Sequence, residues 1–283
     1  MKTLYFLFSI TFALCFFTSA AYAQSSVWAT YFGKGLESRE KGDLPAAEKL
    51  LRMALAEAEN AVKNREDNAE GMLCDTLGTL SAILGEQEKH VEAEEFARRA
   101  LKLADVIYKE SEPDYSRILN NLGLALSNLK KYTEAEEIHR RAMKIREKYE
   151  PAPKRNLMIS VLNLGLVYFK QEKYFEAKPL FSQVVDFYFS LPSGEFDSED
   201  SSTLLTAMNN VVLSEEKLGE FNDALKHNQA ILSFIKTMEG KNSSSLIGYL
   251  ETRVRILRLK KQTVQATQVE NRIKTIKRLN GIK

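Results

Sequence analysis

Cysteine is nearly absent from this chain of 283 residues: Cys15 and Cys74 are its only two. Should the N-terminal leader depart with Cys15, one thiol remains, and one thiol makes no internal disulfide. Stability must then come from packing, with Cys74 as a small buried or half-buried residue. Proline is scarce as well, at six residues, and four of them (Pro113, Pro151, Pro153 and Pro192) cluster outside the expected helices. There are three histidines: His90, His139 and His227. None sits in a His-Glu-x-x-His arrangement or near a second His or Cys at metal-ligand spacing. The chain also has neither a Gly-x-Ser-x-Gly elbow nor a glycine-rich phosphate loop. These absences predict no metal, no cofactor, no catalytic residues and no enzyme. Beyond residue 23 there is no apolar run approaching the ~20 residues a membrane-spanning helix needs.

An apolar run does occur at the start. Lys2 supplies a positive end, Leu4 to Phe17 is apolar, and Ala21-Tyr22-Ala23 is a small-x-small cleavage site. Residues 1–23 therefore read as a cleaved signal peptide, and the mature chain is expected to begin at Gln24. The alternative is a retained anchor. Leu14 precedes Cys15 where a lipidation site needs a small residue. The leader predicts an exported protein, periplasmic or secreted.

Residues 119–145, LNNLGLALSNLKKYTEAEEIHRRAMKI, organise the rest. Leu119, Leu122, Leu126 and Leu129 recur at helical spacing, and so do Ala135, Ile138, Ala142 and Ile145. The spacing predicts two helices joined by a turn at Lys130-Lys131-Tyr132. Thr133 with Glu136 matches a capping box that would open the second helix. Gly123 and Ala135 are small where the two helices must approach. Such a hairpin cannot bury its apolar face alone, so it needs copies beside it.

Those copies are present. Val161–Val185 repeats the pattern with Gly165 and Ala177, Thr79–Leu101 with Ser81 and Ala93, and Lys34–Leu55 with Gly35 and Ala47. Met208–Leu232 repeats it with Ala224, and Leu250–Ile273 more weakly with Ala266. The anchor alanines are spaced by 46, 42, 42, 47 and 42 residues. At these residues the chain resembles the tetratricopeptide repeat. The small residue in the first helix, Gly219-Glu220-Phe221 in a turn, and Ala93 with Ala100 or Ala135 with Ala142 in second helices all fit that pattern. The usual period is about 34 residues; the longer period here, with NNLGLAL and KKYTEAEEIHRRAMKI, is similar to the kinesin-light-chain subclass. The resemblance implies an all-α, right-handed α-solenoid of about six stacked helix–turn–helix repeats over residues 24–283. The repeats fall near residues 28–60, 74–109, 115–149, 157–190, 203–238 and 246–280. It also implies a peptide or protein partner, without naming one.

Charge is uneven along the chain. Residues 251–283 hold ten Lys or Arg against two acids, a net of +8, while residues 24–250 carry −7. The plain reading is a basic capping repeat with a polar outer face. The sharper one is an anionic-partner patch at Arg272, Lys274, Lys277 and Arg278, facing an acidic protein or lipid headgroups. Nucleic acid is not expected for an exported chain without interleaved aromatic and basic residues. Joints are predicted at 110–114, at 150–153, at the acidic, serine-rich 191–202, and at 240–245, where Asn242-Ser-Ser forms a glycosylation sequon.

In a stacked array the first helices line a concave wall. The face opposite the core stripe carries Asn120, Asn121, Leu124 and Asn128, then Leu162, Asn163, Leu166 and Lys170, then Asn209, Asn210, Leu213 and Lys217. An asparagine amide both donates and accepts, so it can hold a peptide backbone whatever its side chains. A leucine row gives apolar contact, and the two lysines could attract a carboxylate. By resemblance, Asn121, Asn163 and Asn210 take the role of groove asparagines. The alternative is that the leucines pack between helices and the asparagines bond their neighbours. Two functions follow as expectations: an exported scaffold that binds a peptide segment or partner protein in its groove, or an envelope-assembly subunit docking through its basic end and convex face.

Overall fold

The computed structural model describes residues 27–108, 113–149, 154–192 and 196–282. The signal peptide, most of the joints at 110–114 and 150–153, and part of that at 191–202 lie outside the described residues. Among the described residues there are twelve α-helices and no strand. In chain order they are α1 (Val27–Glu40), α2 (Leu44–Asn64), α3 (Ala69–Glu86), α4 (His90–Ile107), α5 (Pro113–Asn128) and α6 (Tyr132–Tyr149). Next come α7 (Arg155–Lys170), α8 (Tyr174–Ser190), α9 (Ser198–Leu218), α10 (Phe221–Glu239), α11 (Leu246–Leu259) and α12 (Thr263–Leu279).

All six anchor alanines are buried: Ala47, Ala93, Ala135, Ala177, Ala224 and Ala266. Only a methyl fits where a second helix crosses the first. Five residues before each anchor the backbone turns left-handed, at Gly42, Glu88, Lys130, Glu172, Gly219 and Lys261, with φ between 59° and 78°. The residue after that turn donates back into the first helix, as in Lys89 N to Leu84 O (2.8 Å), Lys173 N to Tyr168 O (2.9 Å) and Glu220 N to Glu215 O (2.8 Å). This is a Schellman closure, which stops one helix and aims the chain into the next. One turn geometry, repeated in register, sets the architecture.

The helices fall into two compact units, split between Leu129 and Lys130. In the first, each of α1 to α4 packs on its successor, and the first helices α3 and α5 also touch. Its core includes Leu51, Leu77, Leu80, Ile83, Leu84, Ile118, Leu119 and Leu122, with Tyr115 buried among them and its hydroxyl on Asp105. In the second, each of α6 to α11 packs on its successor, and α7 touches α9. Its core runs from Leu157 to Ile276 around Phe181, Val184, Tyr188 and Ile231. Arg155 reaches from α7 to the buried carboxylate of Asp200 at 3.0 Å, and Asp200 completes a capping box with Asp197 at the start of α9.

The capping box expected of Thr133 and Glu136 is replaced by another arrangement. Helix α6 opens at Tyr132, so Thr133 already lies in its first turn. The carboxylate of Glu136 accepts from Arg140 at 3.0 Å and from the Tyr168 hydroxyl at 2.8 Å. The left-handed residue at Lys130 moves the helix start earlier than the side-chain pattern implied.

Candidate partner-binding surface

The first helices carry the predicted face in both units. In the first unit, on α5, Asn120 is buried, Asn121 half-buried, and Leu124 and Asn128 exposed. The Asn121 amide donates to the Gly78 carbonyl of α3 at 2.9 Å, bonding one first helix to the one before it. Asn128 Nδ2 lies 3.5 Å from His90 Nδ1 at the start of α4.

The second unit gathers the rest on α7 and α9. Asn163 is 8% exposed, and its amide makes no hydrogen bond among the described residues. Asn210, equally buried, donates to Thr206 O of its own helix at 2.8 Å. Asn209 is half-buried. Leu166 and Leu213 are half-buried, and Leu166 packs on the core. Leu162, predicted on this face, is buried at the helix interface. Lys170 and Lys217 are exposed. Surrounding protein thins the hydration of the Lys170 ammonium and lowers its pKa below the ordinary lysine value.

One feature of this face had no signal in the rows. Arg255 of α11 stands in the register of Leu213 and pairs with Glu216 of α9 at 2.6 and 2.8 Å. Glu216 lies between Leu213 and Lys217 in sequence, and only its pairing with Arg255 two helices later draws it into the face. Thr252 of α11, in the asparagine register, is buried.

The basic end divides. Arg272 donates to the Lys241 carbonyl and, at 2.9 Å, to Asn242 Oδ1, so it closes the loop between α10 and α11. Lys277 lies 3.8 Å from Glu251, and Arg258 pairs with Glu270. Lys274 and Arg278, one helical turn apart on α12, make no ion pair among the described residues. Among those residues no group of three metal-ligating side chains forms, and no helix is long and apolar enough to cross a membrane.

Successive helix–turn–helix pairs in both units, each first helix carrying polar side chains at matching positions, define a helical repeat protein. Residues 72–148, from within α3 to near the end of α6, match the tetratricopeptide repeat family. The fold is similar to kinesin-light-chain TPR-like repeats from Podosopora anserina, at 15% identity and TM-score 0.64, covering 73% of this chain and 95% of that one. It is similar to BtubC from P. vanneervenii, at 21% identity and TM-score 0.61, covering 73% and 78%. It is also similar to a Rap protein complexed with competence and sporulation factor, at 12% identity and TM-score 0.59, covering 89% and 75%. No curated protein sequence matches the chain. The fold is thus that of TPR-like repeats.

Proposed function

We propose that this chain is an exported scaffold that binds an extended peptide segment or partner protein on the first-helix face of its second unit. The observation that carries the reading is Asn163. Its amide makes no hydrogen bond among the described residues, and an amide left open in that way beside the half-buried Leu166 can donate to and accept from a partner's backbone. Asn210, Leu213 and Lys217 continue the face on α9, where the Asn210 amide carbonyl is still able to accept. A Rap protein of similar fold was solved with competence and sporulation factor, which supports a binding role for such a framework. Export rests on the leader at residues 1–23, and N-terminal sequencing of the mature protein should begin at Gln24. The reading assigns binding and no catalysis.

The test is a pull-down from the envelope fraction of the source with Asn163→Ala/Asn210→Ala beside the unaltered protein. Loss of a specific partner by a variant that still unfolds cooperatively supports the groove. Retention of every partner overturns it. The competing reading, docking through the basic end, rests on Lys274 and Arg278 alone, because Arg272 is engaged within the chain.

A further inference from the structure

The hairpin α9/α10 differs from the others in its core. Nine residues before four of the six anchor alanines, the first helix places Leu84, Leu126, Tyr168 or Leu257 in the interior, and before Ala47 it places the half-buried Ser38. Three residues after the anchor, the second helix places Phe96, Ile138, Leu180 or Val269. In α9/α10 these two positions are Glu215 and His227. An apolar pair has become an acid and an imidazole. The Glu215 side chain is 4% exposed, and both carboxylate oxygens lie 2.9–3.0 Å from His227 Nδ1. The ring is its one hydrogen-bond partner among the described residues. The ring itself is partly open to water, so protons can reach the pair.

We propose that Glu215 and His227 form a pH-responsive latch between α9 and α10, closed while the pair shares a proton and loosened when that proton leaves. With one proton the pair is either an ion pair or an acid bonded to a neutral ring, and neither leaves net charge in the core. Losing the proton strands a carboxylate in a site shaped for leucine, with one neutral donor. Lys178 favours the Glu215 carboxylate, but no neighbouring cation lies unpaired beside it. Lys178 of α8 is held by Glu220 of the turn at 2.5 Å, and Arg255 of α11 is held by Glu216. Asp223 of α10 adds repulsion. Burial pushes the Glu215 carboxyl above its ordinary value, chiefly by desolvation and against the pull of His227. The same hairpin has a second weak point: Asn228, fully buried on α10, donates to Tyr249 O at 2.9 Å but leaves its Oδ1 without a partner. Helix α9 also carries Asn210, Leu213 and Lys217, so the latch would set how firmly that face is held; this consequence rests on the function proposed above, whereas the latch itself does not.

The test is hydrogen exchange of the full chain at about pH 5 and about pH 8, corrected for intrinsic chemical exchange. The α9–α10 segments are read against α7–α8 in the same molecule. The expected result is an opening constant for α9–α10 that rises about tenfold relative to α7–α8, the effect of a closed pair that holds its proton about tenfold more tightly than the open one. In Glu215→Leu/His227→Leu, which restores the apolar pair, the ratio stays flat. Glu215→Gln, which keeps the shape and removes the charge, flattens it too and guards against misfolding of the double variant. A flat ratio in the unaltered protein, or the same rise in both variants, overturns the latch. No partner is needed, so the result stands apart from the pull-down.

Discussion

Gly165 of α7 lies against the ring of Phe181 of α8 so closely that a Cβ there would sit 2.7 Å from Cε1 and 3.0 Å from Cδ1. Phe181 is fully buried and has no room to withdraw. Two effects oppose each other in Gly165→Ala. Alanine gains about 1 kcal/mol of helix propensity, and overpacking costs about 1–3 kcal/mol. The expected net is a loss of about 1 kcal/mol in urea melts, by those same two magnitudes. Combined with Phe181→Leu, Gly165→Ala should become neutral or stabilising. A double-mutant cycle without coupling would show that the contact is looser than its geometry.

The hairpin turns offer a stability gain. Four of the six left-handed positions hold Glu88, Lys130, Glu172 and Lys261 rather than glycine. A side chain there costs about 1–2 kcal/mol, while glycine loses more entropy on folding, by about 0.5–1 kcal/mol. Glu172→Gly should therefore stabilise the protein by about 0.5–1 kcal/mol, and Gly219→Ala should destabilise it by a similar amount or more. Opposite signs in denaturant midpoints are the check.

Within the asparagine row, position in the fold separates two roles. Asn121→Ala removes a hydrogen bond from α5 to α3 and should cost about 0.5–1.5 kcal/mol of stability. Asn163→Ala removes an amide without a partner among the described residues, so stability should stay within about 0.5 kcal/mol of the unaltered protein. Only binding should respond to the second change. Melting curves of the two variants side by side decide the matter, and a larger loss for Asn163→Ala would place its amide in an internal bond.

Much of the fold was legible because its strongest constraints are local and periodic. A methyl-sized gap at each crossing selects alanine, and six such alanines at near-constant spacing mark six crossings. The turns were legible only as breaks, since Lys130 and Glu172 do not announce a left-handed backbone as Gly219 does. The candidate site was legible by row but not by partner. Whether Asn121 and Asn210 bond within the chain depends on which carbonyls the neighbouring turns bring near, and no side-chain pattern encodes that. Glu216 and Arg255 lie 39 residues apart, and their pairing appears only once α9 and α11 are placed. Glu215 and His227 were visible in the sequence as a departure from two apolar registers, but they gain meaning only when both are known to face the same core.

Cys74 packs in the interior of α3, with its Sγ 3.4 Å from the Ala100 carbonyl of α4. Burial, with help from the Asp75 carboxylate, pushes its thiol up to about 12. At neutral pH almost no thiolate forms, and thiolate is the reactive species. Cys74 should therefore resist an aromatic disulfide reagent in the native protein and react in full in denaturant. Native labelling should rise only as the pH nears that value or the first unit unfolds. Rapid labelling at pH 7, or a covalent dimer in native gels without reductant, would contradict the burial.

The basic end makes the last separation. Arg272→Ala removes bonds that close the α10–α11 loop onto α12 and should lower stability by about 1 kcal/mol, the worth of one exposed charged hydrogen bond after screening. Lys274→Gln/Arg278→Gln removes two cations that make no ion pair among the described residues, and it should change stability by less than about 0.5 kcal/mol. If the first-helix face holds the partner, capture should survive the double change at every salt concentration tried. If the basic end holds it, capture should weaken in the double variant, and in the unaltered protein it should fall steeply with salt, because exposed charges are screened within about 10 Å at 0.1 M. Arg272→Ala cannot serve as that test, since a loosened α12 would lower capture under either reading.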